Sequence, residues 1–447
     1  MKVNINDLFK GIAIVIDDEI DIRTKNINNI VKQIESLNIP VKSYNTIPNM
    51  EIIEHFQGLS FVLLDWNLIG SSYKKKGVKI PEQVKEESYG RIIDFIKNLK
   101  KVCYCPIFIF SNDTKEHIQD RLSDSGLFSD EKPSNILIES KGDLLKENIL
   151  ETTISNWVEN NPSIYVLKEW EKEYHKCKNQ MFNDFQDINP VWPNVMWKCF
   201  GEDGVNKSLE LGELISRNLI TRMQPFHFRD DILLKNDKKP AQSEIRSVIE
   251  GTKFIKSLDD NDISTGDIYK IKEAGASKYI YYLNIRAHCD LLRTTNPEIY
   301  CISGCELKQD KDGCLECQDI KFFEGNFHEK SNHAIVPFID NGKIIEFKFK
   351  CFKIIKLKDL VKTHNRIGRL LPPYIVKIQQ QFSNYIHRQG LPRIPCEAYF
   401  HTLVEKNENE NGECIESDNN KIKEIKISKR IHKMENEVND SYKQVIK

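Results

Sequence analysis

Acidic residues stand directly after two apolar runs of the chain. "IAIVIDDEIDI" (12–22) continues from its apolar run into Asp17-Asp18-Glu19, and "FVLLDW" (61–66) places Asp65 after another. Because like charges repel and desolvation is costly, the cluster is either a solvated turn or a site for something positive. Three carboxylates around an open position suit Mg²⁺, which prefers hard oxygen ligands. If the two runs are neighbouring strands, we expect Asp17, Asp18 and Asp65 to bind this ion.

Two later apolar runs have a serine and a lysine at their C-terminal ends. "PIFIFS" (106–111) ends in Ser111, and "ILIES" (136–140) is followed at once by Lys141. In a doubly wound sheet, sites form where the carboxyl ends of the strands meet. We therefore expect Ser111 and Lys141 to lie near the acidic cluster.

The elements that must position these residues are short strands alternating with helical stretches. Helical spacing is clearest at Ile92, Ile93, Ile96 and Leu99, and the polar segment 67–88 is interpreted as an inserted loop. Strand–helix alternation of this kind predicts an α/β fold with a doubly wound parallel sheet. The five predicted strands cover 12–17, 41–46, 61–66, 106–111 and 136–140.

An acid pair, a single acid, a hydroxyl and a lysine thus follow four strands in that order. This arrangement resembles the receiver domain of two-component response regulators, which has a flavodoxin-like fold. The resemblance implies that Asp65 is the phosphoacceptor and takes a phosphoryl group from a histidine kinase or phosphotransfer protein. It also implies that Ser111 and Lys141 bind phosphoryl oxygens and report phosphorylation. The implied Mg²⁺ ligands are Asp17, Asp18, Asp65 and the backbone carbonyl of Asn67.

Three positions depart from the pattern of that family. Asn112 stands where a small residue is usual, Gly142 where proline is usual, and Ile138 where the switch aromatic is normally found. The residues that would bind the metal ion and the phosphoryl group match the family pattern, whereas the residues that would transmit phosphorylation to an output do not. A phosphate-inert pseudo-receiver that serves as a scaffold is therefore the alternative.

Beyond residue 150 the chain has no output domain with a familiar motif. Residues 151–260 are mainly helical and predict a connector, with Leu211, Ile215, Leu219 and Met223 on one helix face. Period-two alternation at Ile345, Phe347 and Phe349 is typical of a strand, so 261–403 is predicted to be a mixed β-rich α+β module. Residues 404–447 are polar and predicted to be partly disordered.

Cysteines cluster in 287–319 of this module. Four thiolates could form a tetrahedral zinc site, although the first pair is spaced C-x₃-C and the gap between the pairs is short. Cysteine loops without metal are the alternative. An effector enzyme that uses a thiol near His288-Cys289-Asp290 is a further hypothesis. The four candidate zinc ligands are Cys301, Cys305, Cys314 and Cys317.

Composition sets limits on partners and location. Lys and Arg number 65 against 66 Asp and Glu, giving a formal net charge of -1, so nucleic acid and anionic membranes are not favoured. Without a long apolar run or a signal-peptide pattern, we expect a cytoplasmic protein with free thiols or metal-bound cysteines. Expected partners are a kinase, a downstream effector protein and a second copy of the chain, with 150–225 as a dimer seam. The layout also resembles response-receiver proteins of bacterial antiviral defence systems.

Overall fold

The N-terminal part of the chain folds into a parallel sheet. The computed structural model describes residues 3–69, 80–129, 133–145, 149–235, 239–259, 263–272, 278–292, 296–307 and 332–388. The five strands are β1 (Ile12–Ile16), β2 (Val41–Tyr44), β3 (Leu59–Leu64), β4 (Ile107–Ser111) and β5 (Ile136–Ser140), paired in the order β2-β1-β3-β4-β5. All four strand pairs are parallel. The predicted doubly wound α/β fold is confirmed.

Helices cover both faces of this sheet. They are α1 (Ile5–Leu8), α2 (Asn26–Ser36), α3 (Met50–Ile53), α4 (Glu82–Val102) and α5 (Lys115–Asp124). Along β1, Ala13 and Val15 enter one apolar cluster with α2, whereas Ile14 and Ile16 enter a second cluster with α4. Burial on both faces explains why the strands are apolar runs without alternation.

The predicted inserted loop over 67–88 is wrong in its second half, because α4 begins at Glu82. The first turns of α4 carry one large apolar residue, Val84, and so lack a visible helical period. This part of the helix is held by charge instead, since Arg121 of α5 donates to Glu86 at 2.6 Å. Residues 70–79 lie outside the described part of the chain.

Six helices follow the parallel sheet. They are α6 (Ile149–Glu159), α7 (Pro162–Ile188), α8 (Trp192–Glu202), α9 (Lys207–Arg222), α10 (Asp230–Leu233) and α11 (Gln242–Lys253). Helix α7 is tied to the sheet by Lys168, whose fully buried Nζ donates to the Leu59 carbonyl oxygen at 2.7 Å. The helical character predicted for this region is confirmed.

A second, antiparallel sheet of seven strands comes next. Its strands are β6 (Phe254–Ile255), β7 (Asp267–Lys272), β8 (Tyr279–Asn284), β9 (Glu298–Glu306), β10 (His333–Ile339), β11 (Lys343–Lys356) and β12 (Asn365–Leu370), in the order β10-β11-β9-β8-β7-β12-β6. In the chain, α12 (His288–Leu292) follows β8, α13 (Leu357–Thr363) follows β11 and α14 (Tyr374–His387) follows β12. The predicted mixed β-rich module is confirmed as a fold class.

The chain changes from strand to helix within 284–288. Strand β8 ends at Asn284 and α12 begins at His288. The Asn284 side chain accepts a hydrogen bond from the Arg286 backbone at 3.0 Å, which turns the chain out of the sheet.

The described residues divide into two units, the first reaching Val376 and the second comprising Asn332 and Lys377–Arg388. The domain boundaries expected near 150, 260 and 403 stay predictions. The expected disordered tail lies outside the described residues.

Candidate metal centre

The register of β1 and β3 brings the acidic residues together. Ile16 pairs with Leu64 in parallel register, so the next residues, Asp17 and Asp65, leave the sheet side by side. The Asp65 backbone N–H still donates to the Ile16 carbonyl at 2.9 Å, which extends the ladder by one step. The sequence prediction needed these strands to be neighbours, and they are.

Asp17, Asp18 and Asp65 form an acidic triad that could bind a metal ion. One carboxylate oxygen from each lies within 4.8 Å of the other two. Asp17 and Asp65 are buried, whereas Asp18 is half-buried. Among the described residues, this is the group of His, Cys, Asp and Glu side chains that meets this distance test. A donor set made only of carboxylates fits a hard cation rather than a soft one.

Lys141 lies between two members of the triad. Its Nζ is 2.6 Å from Asp17 Oδ2 and 2.9 Å from Asp65 Oδ2. Burial alone would lower the pKa of Lys141, but the Asp65 and Asp17 carboxylates outweigh it and the pKa is raised. The lysine therefore stays charged and balances the two buried carboxylates.

Ser111, the last residue of β4, lies at the same edge of the sheet. It is 1% exposed, and its carbonyl oxygen accepts from the Lys141 backbone N–H at 3.0 Å. Its hydroxyl oxygen accepts from the backbone N–H of Asp113 at 3.2 Å. Ser111 and Lys141 therefore lie side by side at the carboxyl ends of their strands.

Asp113 and Tyr89 belong to this site and were missed in the sequence. The Asp113 carboxylate accepts from Asn67 Nδ2 at 3.0 Å and from the Tyr89 hydroxyl at 3.3 Å. Burial, with the nearby Asp113 charge, raises the pKa of Tyr89 to about 12, so the phenol remains a donor. The usable signal was the position of Asp113, two residues after Ser111 at a strand end.

Asn67 links the two halves of the site. Its backbone N–H donates to Asp65 Oδ1 at 3.2 Å, while Lys141 holds Oδ2 of the same carboxylate. Trp66 beside it is buried and stacks on Tyr89 with ring centroids 5.3 Å apart. The Asp65 carboxylate is therefore oriented through both of its oxygens.

The cysteines expected to bind zinc are only partly described. Cys301 and Cys305 lie four residues apart on β9, about 13 Å along a strand, which disfavours their sharing one ion. Burial raises the pKa of the Cys301 thiol to about 12. Cys314 and Cys317 lie outside the described residues, so zinc binding stays a prediction.

His288 is held between two partners in the module. Its Nδ1 lies 3.0 Å from the Ser264 hydroxyl, and its Nε2 lies 3.2 Å from Glu213 Oε1 on α9. Cys289 is exposed, and its sulfur lies 3.9 Å from an Asp290 oxygen. His288 therefore contacts a serine and a glutamate, while the thiol-enzyme hypothesis remains untested.

Comparison of the chain with protein-family models, curated proteins and solved structures finds no match. No helix in the described ranges is long and apolar enough to cross a membrane.

Proposed function

We propose that this chain is a response-regulator-type signalling protein that accepts a phosphoryl group on Asp65 in the presence of Mg²⁺. The observation that carries the proposal is the position of Lys141 Nζ, within 3 Å of both Asp17 and Asp65. A cation so placed holds the carboxylates close together and can later hold phosphoryl oxygens.

Each residue has a role that follows from its contacts. Asp65 is the nucleophile, kept in place by the Asn67 N–H on one oxygen and by Lys141 on the other. The P–O bond to Asp65 forms as the bond to the donor breaks. Ser111 and Lys141 then bind the phosphoryl oxygens.

Mg²⁺ bound by Asp17, Asp18, Asp65 and the Asn67 carbonyl would neutralise negative charge on the carboxylates and the phosphoryl group. The all-oxygen donor set of the acidic triad supports a hard cation of this kind. The donor would be a cytoplasmic histidine kinase or phosphotransfer protein. The layout of the chain, which resembles that of response-receiver proteins of bacterial antiviral defence systems, favours a sensor kinase of such a system as the donor. The seven-stranded module would then be the interaction or output part. A downstream effector protein, or a second copy of the chain, is the partner proposed for that part.

The test is the intact mass of the chain after incubation with Mg²⁺ and acetyl phosphate. Wild type should gain one phosphoryl group. Asp65→Asn keeps the shape of the side chain but removes the nucleophile, so it should gain none. Asp120→Asn, an exposed aspartate on α5, is the matched control and should behave as wild type.

A receiver that refuses small donors is distinguished from an inert one by beryllofluoride, a phosphoryl mimic that needs no donor. Binding of beryllofluoride with Mg²⁺ by wild type but not by Asp65→Asn would support the proposal. Absence of both the adduct and this binding would overturn it and favour the scaffold.

A further inference from the structure

A hydroxyl, an imidazole and a carboxylate are in contact where α9 meets the seven-stranded module. Ser264 and His288 belong to the module, and Glu213 lies on α9. His288 Nδ1 lies 3.0 Å from the Ser264 hydroxyl oxygen, and His288 Nε2 lies 3.2 Å from Glu213 Oε1. Both distances are within the reach that nucleophilic catalysis needs between a nucleophile, its base and the group that orients the base.

The backbone of Ser264 is fixed by two fully buried side chains. Its N–H donates to Asp267 Oδ2 at 3.0 Å, and its carbonyl oxygen accepts from Asn284 Nδ2 at 2.9 Å. Both of these side chains are 0% exposed, and Asp267 is held in turn by Arg369 Nε at 2.6 Å. The position of Ser264 is therefore set by the interior of the module, while its hydroxyl faces His288.

Asn284 also holds the segment that carries His288. Its Oδ1 accepts from the Arg286 backbone N–H at 3.0 Å, and the Thr265 hydroxyl donates to the Arg286 carbonyl oxygen at 2.6 Å. The residue after Ser264 is thus bonded to the segment just before His288. The spacing of the hydroxyl and the imidazole therefore follows from the backbone on both sides.

Glu213 orients the imidazole through one oxygen and is itself held through the other. Arg217 Nη2, one helical turn further along α9, lies 3.2 Å from Glu213 Oε2. With its proton on Nε2, His288 donates to Glu213 and accepts from the Ser264 hydroxyl at Nδ1. The carboxylate therefore favours the tautomer in which His288 is a base toward Ser264.

The site is also open to a small substrate. Ser264 is half-buried, and the His288 side chain is 27% exposed. Within the described residues the backbone N–H of Thr265 makes no hydrogen bond, so it is available to an oxyanion, as the N–H after the nucleophile is in serine hydrolases. We propose that Ser264, His288 and Glu213 form a second site, which hydrolyses small carboxylic esters by acyl transfer through Ser264.

The reaction balances in two steps. Ser264 Oγ attacks the ester carbonyl carbon as its proton passes to His288 Nδ1, and the bond to the alkoxy oxygen breaks as that oxygen takes the proton and leaves as alcohol. Water then attacks the acyl group with His288 again as base. The bond to Oγ breaks, Oγ regains a proton, and the carboxylic acid leaves. Glu213 is a positioning residue, since it contacts the imidazole.

A fluorophosphonate tests the nucleophile in the full-length chain. Diisopropyl fluorophosphate forms a P–O bond to an activated serine and releases fluoride. Tryptic cleavage after Lys256 and Lys270 gives peptide 257–270, in which fragmentation distinguishes Ser264 from the exposed Ser257. The native chain should carry the adduct on Ser264, and the urea-denatured chain should carry none.

Variants separate the three roles, with hydrolysis of p-nitrophenyl acetate as the second readout. Ser264→Ala should lose the adduct and the hydrolysis. His288→Gln should slow both by about 100-fold or more, the usual effect of losing a general base. Glu213→Gln should lower kcat and leave KM unchanged, because the carboxylate does not contact the ester. Ser257→Ala is the matched control and should behave as wild type.

Circular dichroism of each variant checks that it is folded. Absence of an adduct on Ser264 in the native chain, equal labelling of Ser257 and Ser264, or labelling of His288→Gln at the wild-type rate would overturn the proposal. Asp65→Asn should be labelled as wild type is, so this result does not depend on phosphorylation.

Discussion

At the scale of single residues, Lys141 is the group on which the acidic triad depends. It is buried with Asp17 and Asp65, and its ammonium lies within 3 Å of an oxygen of each. Two carboxylates that both contact the same ammonium group lie close to each other and would repel strongly without that cation. In the absence of metal, the lysine supplies that cation.

Lys141→Met should therefore destabilise the metal-free fold, since it leaves two buried carboxylates without their cation. Breaking a buried ion pair by removing one partner costs about 3–5 kcal/mol. Urea denaturation with chelator present measures the loss in free energy of unfolding. Added Mg²⁺ should recover more stability in Lys141→Met than in wild type, because the competing ammonium is gone. The control is Lys115→Met, whose exposed pair with Glu139 contributes about 1 kcal/mol or less. A loss no larger than in this control would contradict the assigned role.

The sequence was sufficient to predict the site residues that lie at the ends of strands or directly after them. Asp17, Asp65, Ser111 and Lys141 could be predicted because the carboxyl ends of parallel strands share one edge. The position of Asp113 two residues after Ser111 was a signal, but its contacts with Asn67 and Tyr89 depend on the path of a turn, which the sequence does not reveal. Tyr89 is on a helix, and its approach to the site depends on how α4 packs.

At the scale of elements, segments with a strong hydrophobic pattern could be located from the sequence, whereas segments interrupted by proline could not. The five strands of the parallel sheet were located to within a few residues, and the signal is strongest in β1, β3 and β4, whose residues are almost all buried. Helix α8 is not set apart within the helical prediction for 151–260, because Pro193 reads as a breaker, although proline is tolerated in the first turn of a helix. Strand β10 could not be located within the predicted β-rich module, because Pro337 and an unalternating apolar run hide its period. Strand order also could not be read from the sequence, because it depends on pairing between distant segments.

The turn between β10 and β11 is held by a buried carboxylate. Asp340 accepts from Lys270 Nζ at 2.7 Å and from the Tyr281 hydroxyl at 2.8 Å, so residues of β7 and β8 fix the turn. Burial would raise the pKa of Asp340, but these two hydrogen bonds outweigh it and the pKa is lowered. The ionised form is thus the one that stabilises the fold.

Asp340→Asn should lower the free energy of unfolding at neutral pH by about 1–2 kcal/mol, through loss of charge-assisted hydrogen bonds. Asparagine tolerates the left-handed backbone at this position, where φ is 48°, so backbone strain is not expected. A carboxylate with a lowered folded-state pKa stabilises above its ordinary pKa of about 3.9 and loses this effect as pH falls through the folded-state value.

The difference in free energy of unfolding between wild type and Asp340→Asn should therefore become smaller below about pH 4. Chemical denaturation at a series of pH values measures it. Asp359→Asn, an exposed aspartate on α13, should show a smaller difference. A difference that stays constant down to pH 3 would show that the carboxylate charge is not what matters.

At the scale of the whole molecule, binding of a cation by the acidic triad should stabilise the native chain. An ion that binds only the folded state, present at about a hundred times its dissociation constant, adds about 2.7 kcal/mol. Thermal unfolding followed by circular dichroism, with Mg²⁺ and then with excess chelator, should show a reversible rise in Tm.

Asp17→Asn should abolish most of this rise. Asp21→Asn should keep it, because Asp21 is an exposed acid of the same segment that bonds Asn45 and stands outside the triad. An equal rise in both variants would place the ion elsewhere in the chain.

Helix α7 has a mechanical consequence that follows from its length. It is 27 residues long and unbroken, so it is a rod of about 40 Å, with Lys168 near one end. About 9 Å of helix lies before Lys168 and about 30 Å lies between Lys168 and Ile188. If the rod pivots at the lysine, the far end moves about three times as far as the near end, and a tilt of about 5° carries Ile188 roughly 3 Å. In such a tilt the hydrogen bond to Leu59 would be the pivot, and a small displacement at the sheet edge would be larger at the far end of α7.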